Sequence, residues 1–370
     1  MSVCLVFVIS LSGAASSNNQ SASSSRLASP VRLIYPNGLA LDDRGDLYLS
    51  DIGTHCILKL DQTGQLNIIA GTGEGGYGGD GGPATKAQLN SPYDLAFDAE
   101  GNLFVADTYN HRIRRIDRQG VITTVAGTGN APYTGYDKTA PRDSLNNPQG
   151  ITVDLAGNLL IADTYNRVVR RLERNGTLSV IAGSVAGLSG DGGPATAAQL
   201  NLPMAVTIGP DANVYVCDAA NSRVRQITAD GKIQTISGFG GGEGIGGAGF
   251  MGDGGPAEKA KLFSPADLKF DTAGNLYISD TGNNRIRVIR DKIITTIAGS
   301  GQAGFSGDGK AATAAELNTP QKIAIAKDGS IYIADRANHR VRKVDARGFI
   351  TTVVGEGKPT GINIDPDVIR

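Results

Sequence analysis

Apolar and polar positions alternate in short runs along this chain, and the stretch from Pro92 to Gly127 shows the unit most plainly. DLAFD alternates, AEGN turns, LFVAD alternates again, TYNH turns, RIRRID follows, RQG turns and VITTVAG closes. Short runs of period two separated by Gly, Asn and Asp are the pattern of strands joined by tight turns. Four of them in succession predict an antiparallel meander.

The unit repeats. Its opening proline recurs as Pro36, Pro92, Pro148, Pro203, Pro265 and Pro320. The aspartate that ends its second strand recurs in lockstep as Asp51, Asp107, Asp163, Asp218, Asp280 and Asp335. A single meander cannot bury both of its faces, so six copies stacked about an axis are expected. The expected fold is all-β, a six-bladed β-propeller with four antiparallel strands per blade. The first strands, GLALD, DLAFD, GITVD, AVTIG, DLKFD and KIAIA, would line the axis. Ala40, Ala96, Thr152, Thr207 and Ala324 occupy one slot of that strand, and Lys269 breaks the series.

The ends of the chain follow a different pattern. Val3 to Leu11 is apolar and Gly13, Ala14 and Ala15 follow, so residues 1–15 read as a signal peptide and 16–30 as a Ser-rich tether. No Lys or Arg precedes the apolar run. The propeller is expected over 31–357, with blades starting near 36, 92, 148, 203, 265 and 320, and a C-terminal tail over 358–370. The reading implies a secreted or periplasmic, extracytoplasmic protein. No run is long enough to span a bilayer of about 30 Å as a helix, so no membrane span is expected. VRLIY (31–35) and INIDPDVI (362–369) are both candidates to add to an edge where the ring closes.

Composition narrows the function classes. Gly numbers 51 of 370 residues and Trp is absent, which fits many tight turns and a finely divided interior. Lys+Arg 35 against Asp+Glu 36 leaves a net charge of -1, so nothing global attracts nucleic acid. Third-strand arginines such as Arg112, Arg114, Arg170, Arg225, Arg287 and Arg342 recur around the ring alongside Asp107 and its equivalents. That recurrence points to arginine–carboxylate forks within blades and not to one basic face, and no nucleic-acid partner is expected. Cys56 and Cys217 fall in different repeat slots and are expected as free, buried thiols.

ADTYNHRIRR (106–115), ADTYNRVVRR (162–171), CDAANSRVRQ, SDTGNNRIRV and ADRANHRVRK resemble the signature of NHL-repeat propellers. The linkers GDGGPATKAQL and GDGGPATAAQL are similar to those of exported bacterial members and of teneurin NHL propellers. The resemblance covers about Pro36 to Gly355 and implies a scaffold that binds protein, glycan or RNA. It also implies an alternative, because some similar six-bladed propellers are lyases or lactonases.

Shared residues are expected to be architecture. The linker aspartates Asp80, Asp191, Asp253 and Asp308 precede Pro-Ala or its equivalent and read as caps of a short helical turn, with a metal-ligand reading as the alternative. His55, His111 and His339 occupy one turn slot in blades 1, 2 and 6, where equivalent turns would diverge too far to share a zinc ion. No catalytic residue, metal or cofactor is assigned.

Departures from the repeat are the candidates for function. At the channel mouth on the loop side these are Asn37, Tyr93, Asp94, Gln149, Asp267, Gln321 and Lys322, either contacting a ligand or merely solvating the tunnel. Two irregular loops add Tyr133, Tyr136, Phe239 and Phe250 as partner contacts. The function expected is a monomeric, non-enzymatic binding or scaffold propeller for a protein, peptide or glycan. The alternative is a metal-assisted lyase or hydrolase at the channel mouth.

Overall fold

The computed structural model describes residues 32–130, 143–239 and 248–355. Six antiparallel meanders occupy 36–70, 92–126, 148–182, 203–237, 267–298 and 320–354, and among the described residues there is no α-helix. In blade 2 the strands are Pro92–Phe97, Leu103–Asp107, Arg112–Ile116 and Ile122–Ala126. First strands of neighbouring blades lie side by side around an axis, and blade 1 meets blade 6. The six-bladed propeller is the fold.

The apolar alternation explains the ring. Leu95, Val105 and Ile116 of blade 2 cluster with Ile57 and Ala70 of blade 1, and each other seam is built the same way. There is no single core, and the apolar interior is divided among six inter-blade seams. Each fully buried Leu, Ile or Val in a seam stabilises by about 1.5–3 kcal/mol relative to exposure.

Turn chemistry sets the loop-side face. Asp107 closes the second strand, a 3-10 turn covers Thr108–Asn110, and His111 is left-handed at φ 53°. Asp107 accepts hydrogen bonds from the Asn90 N–H (2.7 Å), Asn110 Nδ2 (2.8 Å) and Arg114 Nη1 (3.1 Å). The buried Arg114 guanidinium extends outward to Asp80 of the preceding linker at 2.7 Å. Blades 4, 5 and 6 repeat this Asp–Asn–Arg–Asp chain through Arg225, Arg287 and Arg342. Burial pushes Asp218, Asp280 and Asp335 up to about 6, against the opposing pull of hydrogen bonds and the arginine.

The linker aspartates therefore differ from the expected caps. The 3-10 turn Ala84–Lys86 has Pro83 at its N-cap and no side-chain cap bond, while Asp80 is engaged by Arg114. Beyond that aspartate the linker pairs with the next blade's fourth strand, through Pro83 with Val121, Gly255–Pro256 with Ile293 and Ile294, and Lys310–Ala311 with Phe349 and Ile350. Covering the outer edge in this way removes an open template for strand addition.

The histidines take the turn role. His55 Nδ1 accepts the Ser91 N–H at 3.1 Å and His111 Nδ1 accepts the Asn147 N–H at 3.2 Å, each clasping the linker of the next blade. Asn284 does the same for Thr319. Ser91, Asn147 and Thr319 all precede a proline with positive φ, an uncommon conformation whose N–H the clasp satisfies. Gly127 shows how tight the turn is, since a Cβ there would lie 2.2 Å from the His111 carbonyl oxygen. At ring closure His339 Nδ1 meets the Ile34 carbonyl, and Leu33 fills the seam between blades 6 and 1. Residues 32–35 form no strand, and 362–369 lie outside the described residues.

Candidate functional site

In blades 1, 2, 3, 4 and 6 the opening proline of the first strand pairs with the aspartate of the second and the register shifts immediately afterwards, whereas in blade 5 the pairing begins at Asp267 with Ser279. This bulge places the two residues after the proline at the loop-side mouth of the channel. Gly38, Asp94, Gly150, Ala205, Asp267 and Lys322 form one layer there. Asp94 and Asp267 are 1% exposed and Lys322 is 2% exposed.

Lys322 closes the mouth. Its Nζ lies 3.1 Å from Asp94 Oδ2, 3.5 Å from Asp267 Oδ1 and 3.2 Å from the Met204 carbonyl oxygen. Those partners belong to blades 2, 5 and 4, so a side chain from blade 6 reaches across the axis. The carboxylates also tie adjacent blades together. Asp94 Oδ2 accepts the Ile151 N–H at 3.0 Å, and Asp267 Oδ2 accepts the Ile323 N–H at 2.8 Å. Burial alone would pull the Lys322 ammonium down, but Asp94 and Asp267 more than offset it and hold its pKa above the ordinary lysine value. Burial pushes the Asp267 carboxyl up, opposed by Lys269 and Lys322.

The remaining mouth residues surround this network. Asn37 Nδ2 donates to the Tyr93 carbonyl at 2.8 Å, and Gln149 and Gln321 are buried. Asn37 Oδ1 and Gln149 Oε1 are buried acceptors without a protein partner. The structure thus brings Asp94, Asp267 and Lys322 into direct contact and seals Asn37, Tyr93, Gln149 and Gln321 around them. Cys217 is buried near the network, with burial, then the charge of Asp267, raising its thiol pKa well above the ordinary value. It forms no disulfide, and Cys56 is also free and buried.

A cavity of about 280 Å³ opens at the opposite end of the first strands, where the short turns lie. Leu41, Phe97, Thr152, Phe270, Ile325 and Lys269 are among its lining residues.

The family model of the teneurin NHL domain matches residues 72–134 and 299–366. Mouse teneurin-1 is 31% identical over 306 residues, covering 70% of this chain and 10% of that protein. Bovine NHL repeat-containing protein 2 is 27% identical over 359 residues, covering 85% of this chain and 47% of that protein. The chain is an NHL-repeat propeller. It spans about a tenth to about half of the length of these curated relatives. A solved virginiamycin B lyase from Staphylococcus aureus superposes with a TM-score of 0.51 at 15% identity, covering 90% of this chain and 88% of that one, which shows a shared fold.

Within the NHL propeller the candidate loop residues separate. Phe239 is 58% exposed. Phe250 stacks on Arg285, its ring centroid 3.7 Å from the guanidinium carbon, while Tyr77 on Arg112 (3.7 Å) and Phe305 on Arg340 (3.9 Å) repeat the contact. Phe250 thus belongs to a recurring aromatic–guanidinium pair, a contact worth about 0.5–1 kcal/mol at exposed sites. Tyr133 and Tyr136 lie outside the described residues.

Proposed function

We propose that this NHL propeller is an extracytoplasmic, non-enzymatic scaffold that presents its loop-rich face to a protein partner. The observation that carries the reading is the closed mouth. General acid–base catalysis needs a titratable group poised near the working pH and within reach of a substrate. Lys322 is buried and held charged, and its two carboxylates serve it and the backbone of neighbouring blades. Among the described residues no three His, Cys, Asp or Glu side chains converge as a metal-ligand set. The loop-side face around the mouth, by contrast, exposes Phe239 and Met251, with Tyr77, Phe250 and Phe305 stacked on arginines. Exposed aromatics and arginine are the residues that most often anchor protein interfaces. The apolar run Val3–Leu11 followed by Gly13 and Ala14 supports export.

Protein, peptide and glycan arrays probed with the wild type and with Phe239→Ser/Met251→Ser test the reading. It expects a protein or peptide ligand whose binding falls at least tenfold in the double variant. A stoichiometric metal by elemental analysis together with lactone hydrolysis at enzymatic rates would overturn it in favour of catalysis. Detection of the full-length protein only in the cytoplasmic fraction would overturn export.

A further inference from the structure

The outer edge of blade 1 stands open among the described residues. In blade 2 the linker takes both backbone groups of Ile122, whose N–H donates to the Gly82 carbonyl at 3.0 Å and whose carbonyl accepts the Gly81 N–H at 2.8 Å. Ile122 and its equivalents Ile233, Ile294 and Ile350 are at most 1% exposed. In blade 1 the Asp61 N–H bonds the Gln65 carbonyl at 3.0 Å, so Leu66, opposite Leu60, turns its own N–H and carbonyl outward. Neither has a partner among the described residues, Leu66 is only half-buried, and Ile68 on the same strand is 53% exposed.

The sequence before the first blade matches what this edge lacks. The linkers of blades 2, 4, 5 and 6 seat two alanines and a leucine in the seam at one spacing, Ala84-x-x-Ala87-x-Leu89 in blade 2. One blade step upstream the chain reads Ala28-x-x-Val31-x-Leu33. The inner end of that register is already in place. Leu33 sits in its seam, and the Ile34 N–H donates to Asp51 at 2.8 Å as the Asn90 N–H does to Asp107 at 2.7 Å. The Arg114–Asp80 pair of blade 2 is replaced on both sides at once, since Leu58 and Ser24 hold the equivalent positions.

We propose that residues 26–31, RLASPV, dock along the outer edge of blade 1 as its linker, with Ala28 and Val31 in the seam beside Leu33, the Leu66 N–H on the Arg26 carbonyl and the Ala28 N–H on the Gly64 carbonyl. This inference does not rest on the loop-face function. It gives these residues a docked role in place of a tether. Pro30 stands where Lys86 donates to the Pro83 carbonyl at 2.9 Å, so this turn has one bond fewer than that of blade 2. The docked strip removes the template that an open strand offers to a second chain.

Leu27 then faces Gln65 as Pro83 faces Val121, a non-hydrogen-bonded pair close enough for a disulfide. In a full-length Cys4→Ser/Cys56→Ser/Cys217→Ser background, oxidation of Leu27→Cys/Gln65→Cys should give an intrachain disulfide. Leu27→Cys/Thr177→Cys, which uses the matching place on blade 3, should not. Hydrogen exchange read by mass spectrometry tests the unlinked chain. The peptide 62–70 should exchange at least tenfold faster in Ala28→Asp/Val31→Asp than in the wild type, with the blade 2 peptide 118–126 unchanged. Absence of the intrachain disulfide, equal linkage to Thr177→Cys, or exchange of 62–70 unaltered by the double variant would each overturn the proposal. So would an interchain Gln65→Cys disulfide as the main product, which would place a second copy on the edge.

Discussion

Two lysines two layers apart along the channel have opposite fates. Lys322 at the loop-side mouth is buried against Asp94 and Asp267 and reaches a carbonyl across the axis. Lys269 at the short-turn end acts on Asp267 through its charge and lines an open cavity whose exposed surface is more polar than apolar. Both break the repeat and both replace a small residue. Only the surroundings separate them, because a departure met by complementary departures in other blades becomes internal structure. A departure joined to the network by charge alone, as Lys269 is to Asp267, stays half-buried at the other end.

The largest expected effect tests whether the mouth is a closed network. Lys322→Met strands two buried carboxylates and should cost about 3–5 kcal/mol in denaturant unfolding. Adding Asp94→Asn and Asp267→Asn should recover most of the loss. A loss below about 1 kcal/mol in the single variant would mean that the mouth is hydrated and the two ends are alike.

A smaller effect sharpens the same contrast by pH. Because the folded pKa of Lys322 is raised, its contribution is fully present below the unfolded lysine value of about 10.4 and is lost as pH rises through the higher folded value. Wild-type stability should therefore fall more steeply than that of Lys322→Met above that pH. Parallel curves in a denaturant series would remove the electrostatic account of the mouth.

Lys269→Met should change stability by less than about 0.5 kcal/mol, since it breaks no ion pair. A loss comparable to that of Lys322→Met would show that Lys269 is part of the network. Phe239→Ser is expected to be smaller still in unfolding while lowering partner binding, because its ring is exposed.

The blades were legible because Pro36 to Pro320 and Asp51 to Asp335 step together, and a repeated meander has few ways to bury both faces. The histidine turns were legible for the same reason. The linker aspartates were not, because a local signal, Asp before Pro-Ala, resembles a helix start. Yet each bonds an arginine 34 residues downstream, Asp80 with Arg114, Asp253 with Arg287 and Asp308 with Arg342, and that constant separation was visible in the chain. The mouth residues were identifiable as departures, but their pairing across the axis was not. Asp94, Asp267 and Lys322 meet only because blades 2, 5 and 6 face one channel, and no single strand's periodicity encodes that meeting. Lys269 stood out as a break in a small-residue slot, whereas the space beside it depends on side chains contributed by five blades.

Thiol labelling under native conditions tests the contrast between the two ends most directly. In a Cys4→Ser/Cys56→Ser background, Cys217 reports on the sealed mouth, where it is buried near Lys322 and Asp267. Thr152→Cys reports on the cavity at the other end in the same background with Cys217→Ser. Iodoacetamide should modify the cavity thiol within minutes and leave Cys217 untouched until the protein unfolds, with Lys322→Ala accelerating Cys217 labelling. Comparable rates at the two positions, or a Cys217 rate unchanged by Lys322→Ala, would contradict the sealed mouth.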